Sequence, residues 1–359
     1  MVDKIARQEM KVIIEIGHPA HVHHFKNTIW NLEKKGCEVK IVSKDKDIAL
    51  YLLNIYGFKY EKLGRNYSNL VGKAYGLIKT DYILFKIAKK FNSDIFVSRG
   101  SPYIAHVSKL LNKPHIAFCD TEHAKLNDML AYPFTDVICT PTCFKKDLGK
   151  KQVRYNGYHE LAYLHPNYFE PDSSVLDDLG LSKNDKFTVL RFVSWDASHD
   201  IGQQGLDLKS KQQYIRELEK YGEVFITSEA KLEKELNKYK LRISPEKIHD
   251  LLHYATLYVG EGATMATEAG ILGTPSIYIS SLAGTMGNFE ELENRYGLVY
   301  SFRNPDIALE KALQILKDEK VKTKWQNKRK KLLDEKIDVT KFMTEFIENY
   351  PESFIRYKS

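Results

Sequence analysis

Short apolar runs alternate along this chain with stretches whose apolar residues recur every three or four positions. KVIIEI (11–16) reads as a buried strand, and Val22, Phe25, Ile29 and Leu32 then repeat with helical spacing up to Gly36. EVKIV (38–42) predicts the next strand, and residues 46–56 predict a helix that stops at Gly57. A longer, basic helical stretch fills 69–91. DIFVS (94–98), HIAFC (115–119) and DVICT (136–140) predict further strands with helices between them. Strands that alternate with helices argue for parallel sheets.

The pattern lapses at 165–186, where two prolines and many turn formers predict an interdomain segment. It resumes with FTVLRFV (187–193), a helix near 210–221, EVFIT (223–227), a helix near 231–239 and a short strand near 241–243. A helix at 245–253, LYVG (257–260), a helix from 264 and PSIYIS (275–280) follow, and 305–349 is mostly helical. The expected organisation is an N-terminal doubly wound domain (1–170), a C-terminal one (171–320), and terminal helices (321–359) returning toward the first. Two such halves put a ligand cleft between them, at the C-terminal ends of the strands.

Length agrees, since 359 residues suit two domains of about 150 each. Hydrophobic residues at 43% and charged residues at 28% belong to a globular chain. No apolar run approaches the roughly 20 residues of a membrane span, and MVDKIARQEMK has no apolar signal region. The four cysteines show no CxxC spacing, so the expectation is a cytoplasmic protein with reduced thiols. Charge is uneven. Residues 1–170 hold 26 Lys and Arg against 17 Asp and Glu; residues 171–359 hold 28 against 30. A basic N-terminal half suggests an anionic partner: nucleic acid, a membrane surface or a phosphorylated substrate.

The richest motif is IHDLLHYATLYVGEGATMATEAGILGTPSIYIS (248–280). Gly260, Gly262 and Ala263 make a turn of little bulk after a buried strand, and Thr264 can cap the helix that follows. Backbone N–H groups at that helix start form a ready phosphate site. Glu268 lies on the same face as Thr264 by i,i+4 spacing. The competing reading is that small residues merely let the helix pack on its sheet. The order strand, Gly-x5-Glu-Ala, Leu-Gly-x-Pro resembles the donor site of the peptidoglycan GlcNAc transferase and of the UDP-GlcNAc 2-epimerases. That resemblance implies diphosphate contacts from Gly262, Ala263, Thr264 and Met265, ribose contact from Glu268, and base contacts from Ile248 and His249. From KVIIEIGHPAHVHHFK onward the chain also resembles the family known as domain of unknown function 354. The implied fold class is α/β of the glycosyltransferase-B type, two Rossmann-like domains facing a cleft.

His18, His21, His23 and His24 crowd into seven residues after the first strand. Val22 and Phe25 face the expected core, His21 and His24 lie off it, and His18 sits in the loop. Histidine titrates near neutrality and suits general-base work. The loop resembles that of UDP-sugar hydrolases whose histidine activates water, which makes His18 the leading base candidate, with Glu122 and His21 as alternatives. The same histidines offer a metal cluster as a rival reading, but the resemblance implies no metal and no cofactor. Arg99 and Ser101 follow a strand and are candidates to hold an acceptor. Ser194 and His199 follow the first strand of the second half, where this architecture touches donor phosphates.

The expected function is therefore transfer of a sugar from a nucleotide-diphosphate sugar, a UDP-sugar by resemblance, in glycan or cell-surface polysaccharide synthesis. The 2-epimerases carry an aspartate where this chain has Arg99-Gly100-Ser101, which counts against epimerisation. A hydrolase or 2-epimerase, or a non-catalytic nucleotide-sugar or nucleic-acid module, stays open. The expected partners are the donor and a sugar or lipid-linked acceptor; nucleic acid is not expected. Residues 63–91 hold six basic residues and one acid among Tyr, Leu, Ile and Phe, a pattern for peripheral contact with an anionic membrane. Val71, Ala74, Leu77, Ile78 and Ile83 equally suit the buried face of a crossover helix.

Overall fold

The computed structural model describes residues 9–65, 70–193, 206–228 and 232–358. The chain divides into two compact units. The first holds residues up to Tyr163 together with Ile337–Ser359, and the second holds Leu164–Lys336.

Unit 1 is built on seven parallel strands: β1 (Lys11–Ile16), β2 (Glu38–Ser43), β3 (Tyr60–Lys62), β4 (Ile95–Ser98), β5 (His115–Phe118), β6 (Val137–Pro141) and β7 (Gln152–Tyr155). Their spatial order is β3-β2-β1-β4-β5-β6-β7. β1 pairs with β2 from Lys11↔Glu38 to Ile16↔Ser43, and with β4 from Val12↔Ile95 to Ile14↔Val97. Strands covered on both faces read as unbroken apolar runs, which is why Val12, Ile13, Ile14, Phe96 and Val97 are all fully buried. On one side Ile13, Val42 and Phe96 pack with Leu84, Phe91, Ile104 and Val107 from the helices Leu70–Phe91 and Pro102–Leu110.

The helix Pro19–Lys34 starts with proline in its first turn, where the missing N–H costs nothing. Its Phe25, Ile29 and Leu32 are buried, and so are His23, His24, Asn27 and Thr28. This corrects the expectation that His24 lies off the core: it is fully buried. The C-terminal part of the chain covers that second face. Thr28 Oγ1 lies 3.9 Å from Met343 Sδ, and Asn27 Nδ2 and Thr340 Oγ1 both donate to the Ala162 carbonyl, at 2.8 and 2.6 Å.

Unit 2 has five parallel strands: β8 (Phe187–Phe192), β9 (Glu223–Ser228), β10 (Leu257–Gly260), β11 (Ser276–Ile279) and β12 (Val299–Phe302), in the order β12-β11-β10-β8-β9. The stretch read as a strand near 241–243 makes only a single bridge, Ile226↔Lys240, and 234–239 is a 3₁₀ helix. The helix Val321–Glu335 belongs to this unit. Trp325 Nε1 donates to the Leu298 carbonyl at 2.9 Å. Arg329 Nε donates to Ile271 O at 3.0 Å, and Gln326 Nε2 to Leu272 O at 3.2 Å. Those two side chains satisfy carbonyls that the helix Ala263–Ile271 leaves open at its C-terminal end, and the Arg329 cation suits the negative pole there.

Candidate functional site

Parallel sheets bind ligands at the carboxyl ends of their strands, where neighbouring strands send their connections in opposite directions. In unit 1 that point lies between β1 and β4, and in unit 2 between β8 and β10.

At the end of β1, Glu15 is buried and its carboxylate folds over Gly17. A Cβ at position 17 would lie 2.7 Å from Glu15 Oε1, so a side chain there collides with the carboxylate. Burial pushes the Glu15 carboxyl up to about 7, against the pull of Lys44 and Lys46. His18 is exposed and caps the next helix, its Nδ1 accepting the Ala20 N–H at 3.2 Å. A neutral imidazole that accepts at Nδ1 carries its proton on Nε2. His21 Nδ1 accepts the Gly17 N–H at 3.2 Å and lies 4.0 Å from Glu15 Oε2. Burial first, then Arg99 and His18, hold the His21 pKa well below the usual histidine value.

The β4 end is shaped by a hydrogen-bond relay. Ser98 Oγ accepts from the N–H groups of Gly100 (3.1 Å) and Ser101 (3.0 Å) and lies 2.9 Å from His115 Nε2. His115 Nδ1 lies 3.1 Å from Thr135 Oγ1, which donates to the Ala131 carbonyl. The consistent proton order is Ser98 O–H to Nε2 and Nδ1–H to Thr135. Burial pushes the His115 pKa down to about 3, so the ring is neutral. This relay folds Arg99-Gly100-Ser101 into a turn in which Gly100 takes φ +77°, a conformation glycine adopts without strain.

Arg99 does not stand alone. Its Nη2 donates to Asp120 Oδ1 at 2.6 Å, and Asp120 Oδ2 lies 3.1 Å from His159 Nδ1. His159 stacks on His24 with ring centroids 4.2 Å apart. Burial opposes it, but the Arg99 charge, with a hydrogen bond from His159, holds the Asp120 carboxyl well below the carboxylate range. Burial lowers the pKa of both His24 and His159. An ionised Arg–Asp pair therefore sits beside two neutral, stacked imidazoles. Ser101 is buried, and its hydroxyl has no hydrogen-bond partner. Glu122 is buried and accepts the Lys145 N–H at 3.4 Å. Among the described residues no three His, Cys, Asp or Glu side chains are grouped to hold a metal ion.

In unit 2 the turn after β10 is tight. A Cβ on Gly260 would meet the Tyr258 hydroxyl at 2.5 Å, and one on Gly262 would meet Arg191 Nε at 2.8 Å. Gly262, not Thr264, is the N-cap of the helix Ala263–Ile271. Thr264 is exposed in its first turn, and Ala263 and Met265 are half-buried. Small residues here also serve packing, since a Cβ on Gly270 would strike Val299 at 2.5 Å. Glu268 is buried, and its Oε1 lies 3.0 Å from His249 Nε2. Two of the candidates are thus hydrogen-bonded to each other. Ile248, beside His249, is half-buried.

Two further residues escaped the sequence reading. Arg191 is the one charge in the apolar run of β8, and its Nη1 donates to Thr227 Oγ1 at 3.2 Å. Glu261, between the two glycines, accepts the N–H of Val193 at 3.2 Å and of Leu206 at 2.6 Å. It thereby holds both residues that flank 194–205. Ser194 and His199 lie outside the described residues.

The sequence profile of DUF354, a family described as protein of unknown function, matches residues 10–352. The chain belongs to that family. Among proteins similar to this DUF354 member, the uncharacterized protein MJ0665 of Methanocaldococcus jannaschii is 25% identical over 279 residues, 75% of this chain and 81% of that protein. Solved structures extend the likeness. The S. aureus MnaA–UDP structure gives a TM-score of 0.66 at 12% identity, covering 97% of each chain. The glycosyltransferase VinC in complex with dTDP gives 0.64 at 11%, covering 97% of this chain and 100% of that one. A protein assigned as a UDP-N-acetylglucosamine 2-epimerase from Listeria monocytogenes gives 0.63 at 13%, covering 89% and 91%. At these identities the likeness is one of fold: α/β, with two Rossmann-like parallel-sheet domains of the glycosyltransferase-B type.

Proposed function

We propose that this DUF354 chain is a metal-independent glycosyltransferase that takes its sugar from a nucleotide-diphosphate donor, a UDP-sugar, and passes it to a sugar or lipid-linked hydroxyl. The observation that carries this reading is the turn Gly260–Gly262 with Arg191 beside it and the Glu268–His249 pair one turn further on. The first N–H groups of a helix have no intrahelical acceptor. Those of Ala263, Thr264 and Met265 meet the diphosphate, helped by the helix dipole, and glycine at 262 leaves room for it. Arg191 adds a fixed positive charge. Glu268, held by His249, accepts ribose hydroxyls, and Ile248 lies toward the base. The same N–H groups stabilise the departing diphosphate.

In unit 1, His18 is the exposed base candidate, and Arg99 and Ser101 line the acceptor side. Loss of a general base typically costs 10²–10⁴-fold in rate, so His18→Ala should cut turnover by that much and leave nucleotide affinity unchanged. A near-normal rate would move the role to His21 or Glu122.

A second reading, hydrolysis or 2-epimerisation of the same donor, is favoured by the likeness to the Listeria epimerase structure. Calorimetry with UDP, dTDP and their sugars tests the site, and absence of nucleotide-diphosphate binding sinks both readings. Nucleotide release that needs an added acceptor favours transfer. Release without one favours hydrolysis.

A further inference from the structure

We propose that the helix Leu70–Phe91 docks this protein on an anionic lipid surface. From Tyr75 to Lys90 the exposed positions are Tyr75, Ile78, Lys79, Tyr82, Lys86, Lys89 and Lys90. Steps of three and four place these residues along one face of the helix, over a length of about 22 Å. Each is either a large apolar or aromatic residue or a lysine. Ile78 is 71% exposed, and Tyr75 and Tyr82 are each 57% exposed. The alternative, that Ile78 belongs to the buried face, does not hold. The buried face is Leu84, Ala88 and Phe91, packed with Ile104 and Val107.

The helix has one acid, Asp81, and it lies 2.9 Å from His106 Nδ1 rather than among the lysines. The cations stay close to the aromatic rings. Lys86 Nζ lies 4.4 Å from the Tyr82 ring centroid, and Lys79 Nζ lies 5.8 Å from that of Tyr75. A solvated crossover helix normally mixes both signs of charge on its outer face. Here the face offers cations to an anionic plane and an apolar residue between two tyrosines to the layer beneath. Tyrosine favours headgroup depth, and lysine reaches up from it. A polyanion such as nucleic acid would use the lysines and the rings but has no use for Ile78. The helix Asp47–Ile55 is an internal contrast: it exposes Ile48, Tyr51 and Ile55 but carries no lysine.

The proposal does not rest on the reaction. Its test is co-sedimentation of the full chain with phosphatidylcholine vesicles, with and without phosphatidylglycerol, at low and high salt. Binding is expected only with the anionic lipid at low salt. A lysine near such a surface is worth about 5-fold in partitioning, so Lys79→Glu/Lys86→Glu/Lys89→Glu should weaken binding by about 100-fold or more. Tyr75→Ser/Ile78→Ser/Tyr82→Ser should also weaken it, and Ile48→Ser/Ile55→Ser should not. Ile78→Asp alone, at the most exposed position, repeats the apolar test should the triple variant fold poorly. No binding to anionic vesicles at low salt overturns the proposal. Binding that ignores the serine and Ile78→Asp changes and is competed by an oligonucleotide also overturns it, in favour of a polyanion site.

Discussion

The two units share one architecture but treat charge in opposite ways at their strand ends. Unit 1 gathers Glu15, His21, His24, Arg99, Asp120 and His159, buried or nearly so, around the ends of β1, β4 and β5; burial shifts the pKa of Glu15 and the three histidines, and Arg99 that of Asp120. Among the described residues, unit 2 places backbone, glycines, Arg191, the buried Glu261 and the buried Glu268–His249 pair at β8 and β10. The first arrangement suits moving or holding protons. The second, on the reading proposed above, suits gripping a diphosphate and the negative charge it gains on leaving. A parallel sheet supplies the place in both, and the side chains at the strand ends decide the chemistry.

The largest effect that would separate them comes from Asp120. Removing one partner of a fully buried ion pair costs about 3–5 kcal/mol, because the other charge is left uncompensated, and that is the upper bound for the largely buried Arg99–Asp120 pair. Asp120→Ala should lower the protection of β4, β5 and β7 amides in hydrogen exchange by up to that amount and leave UDP affinity unchanged. Equal loss of nucleotide affinity would show that the division of labour is wrong. The mirror change is Glu268→Ala. It should weaken UDP binding by about 1.5–3 kcal/mol, the range for hydrogen bonds to a charged group. Calorimetry reads this, and unchanged affinity in the folded variant removes Glu268 from the site.

Acid should find unit 1 first. His21, His24, His115 and His159 all have folded pKa values below the ordinary 6.5. Each contributes stability that is present above pH 6.5 and lost as pH falls toward its folded value. Glu15 acts in the opposite sense, since its folded pKa is raised to about 7 from 4.5. Asp81 and Glu33 are raised as well, but only the Glu15 carboxyl is pushed to about 7, so the four histidines leave the unfolded chain binding more protons between pH 5 and 6.5, and stability rises with pH there. Each histidine can add at most about 1.4 kcal/mol per pH unit. His24 has no hydrogen-bond partner to lose and lies among Phe25, Phe118 and His159. His24→Phe should therefore flatten the slope by up to one such contribution. An unchanged slope in pH-dependent hydrogen exchange would mean that His24 is not neutral in the fold.

Much of this fold can be read directly from apolar runs, because strands buried on both faces leave no polar positions to blur the signal. β3 and β12 escaped because edge strands are short and half-polar, and QVRY of β7 carries too few apolar residues. The burial of His24 and Thr28 escaped for a different reason. Their cover comes from residues 159–163 and 339–348, and periodicity within a helix cannot register a partner 300 positions away. The Asp120–His159 contact spans 39 positions and leaves no local trace. Arg191 and Glu261 did leave one: a lone charge inside an apolar strand, and an acid between two glycines.

The smallest change in stability concerns His18 and separates two jobs that one imidazole does. As the N-cap of Pro19–Lys34 it uses Nδ1 as an acceptor, which puts its proton on Nε2 and makes the exposed edge a donor. To act as a base at Nε2 it must take the other tautomer and give up the cap. Loss of a cap costs about 0.5–2 kcal/mol. His18→Ala should lose that stability together with turnover. Asn accepts the same N–H bond, so His18→Asn should recover most of the stability but none of the turnover. Chemical denaturation followed through unit 1, run beside the rate assay, distinguishes the cases. If Asn restores the rate as well, His18 serves only to start the helix, and the base must be sought at His21 or Glu122.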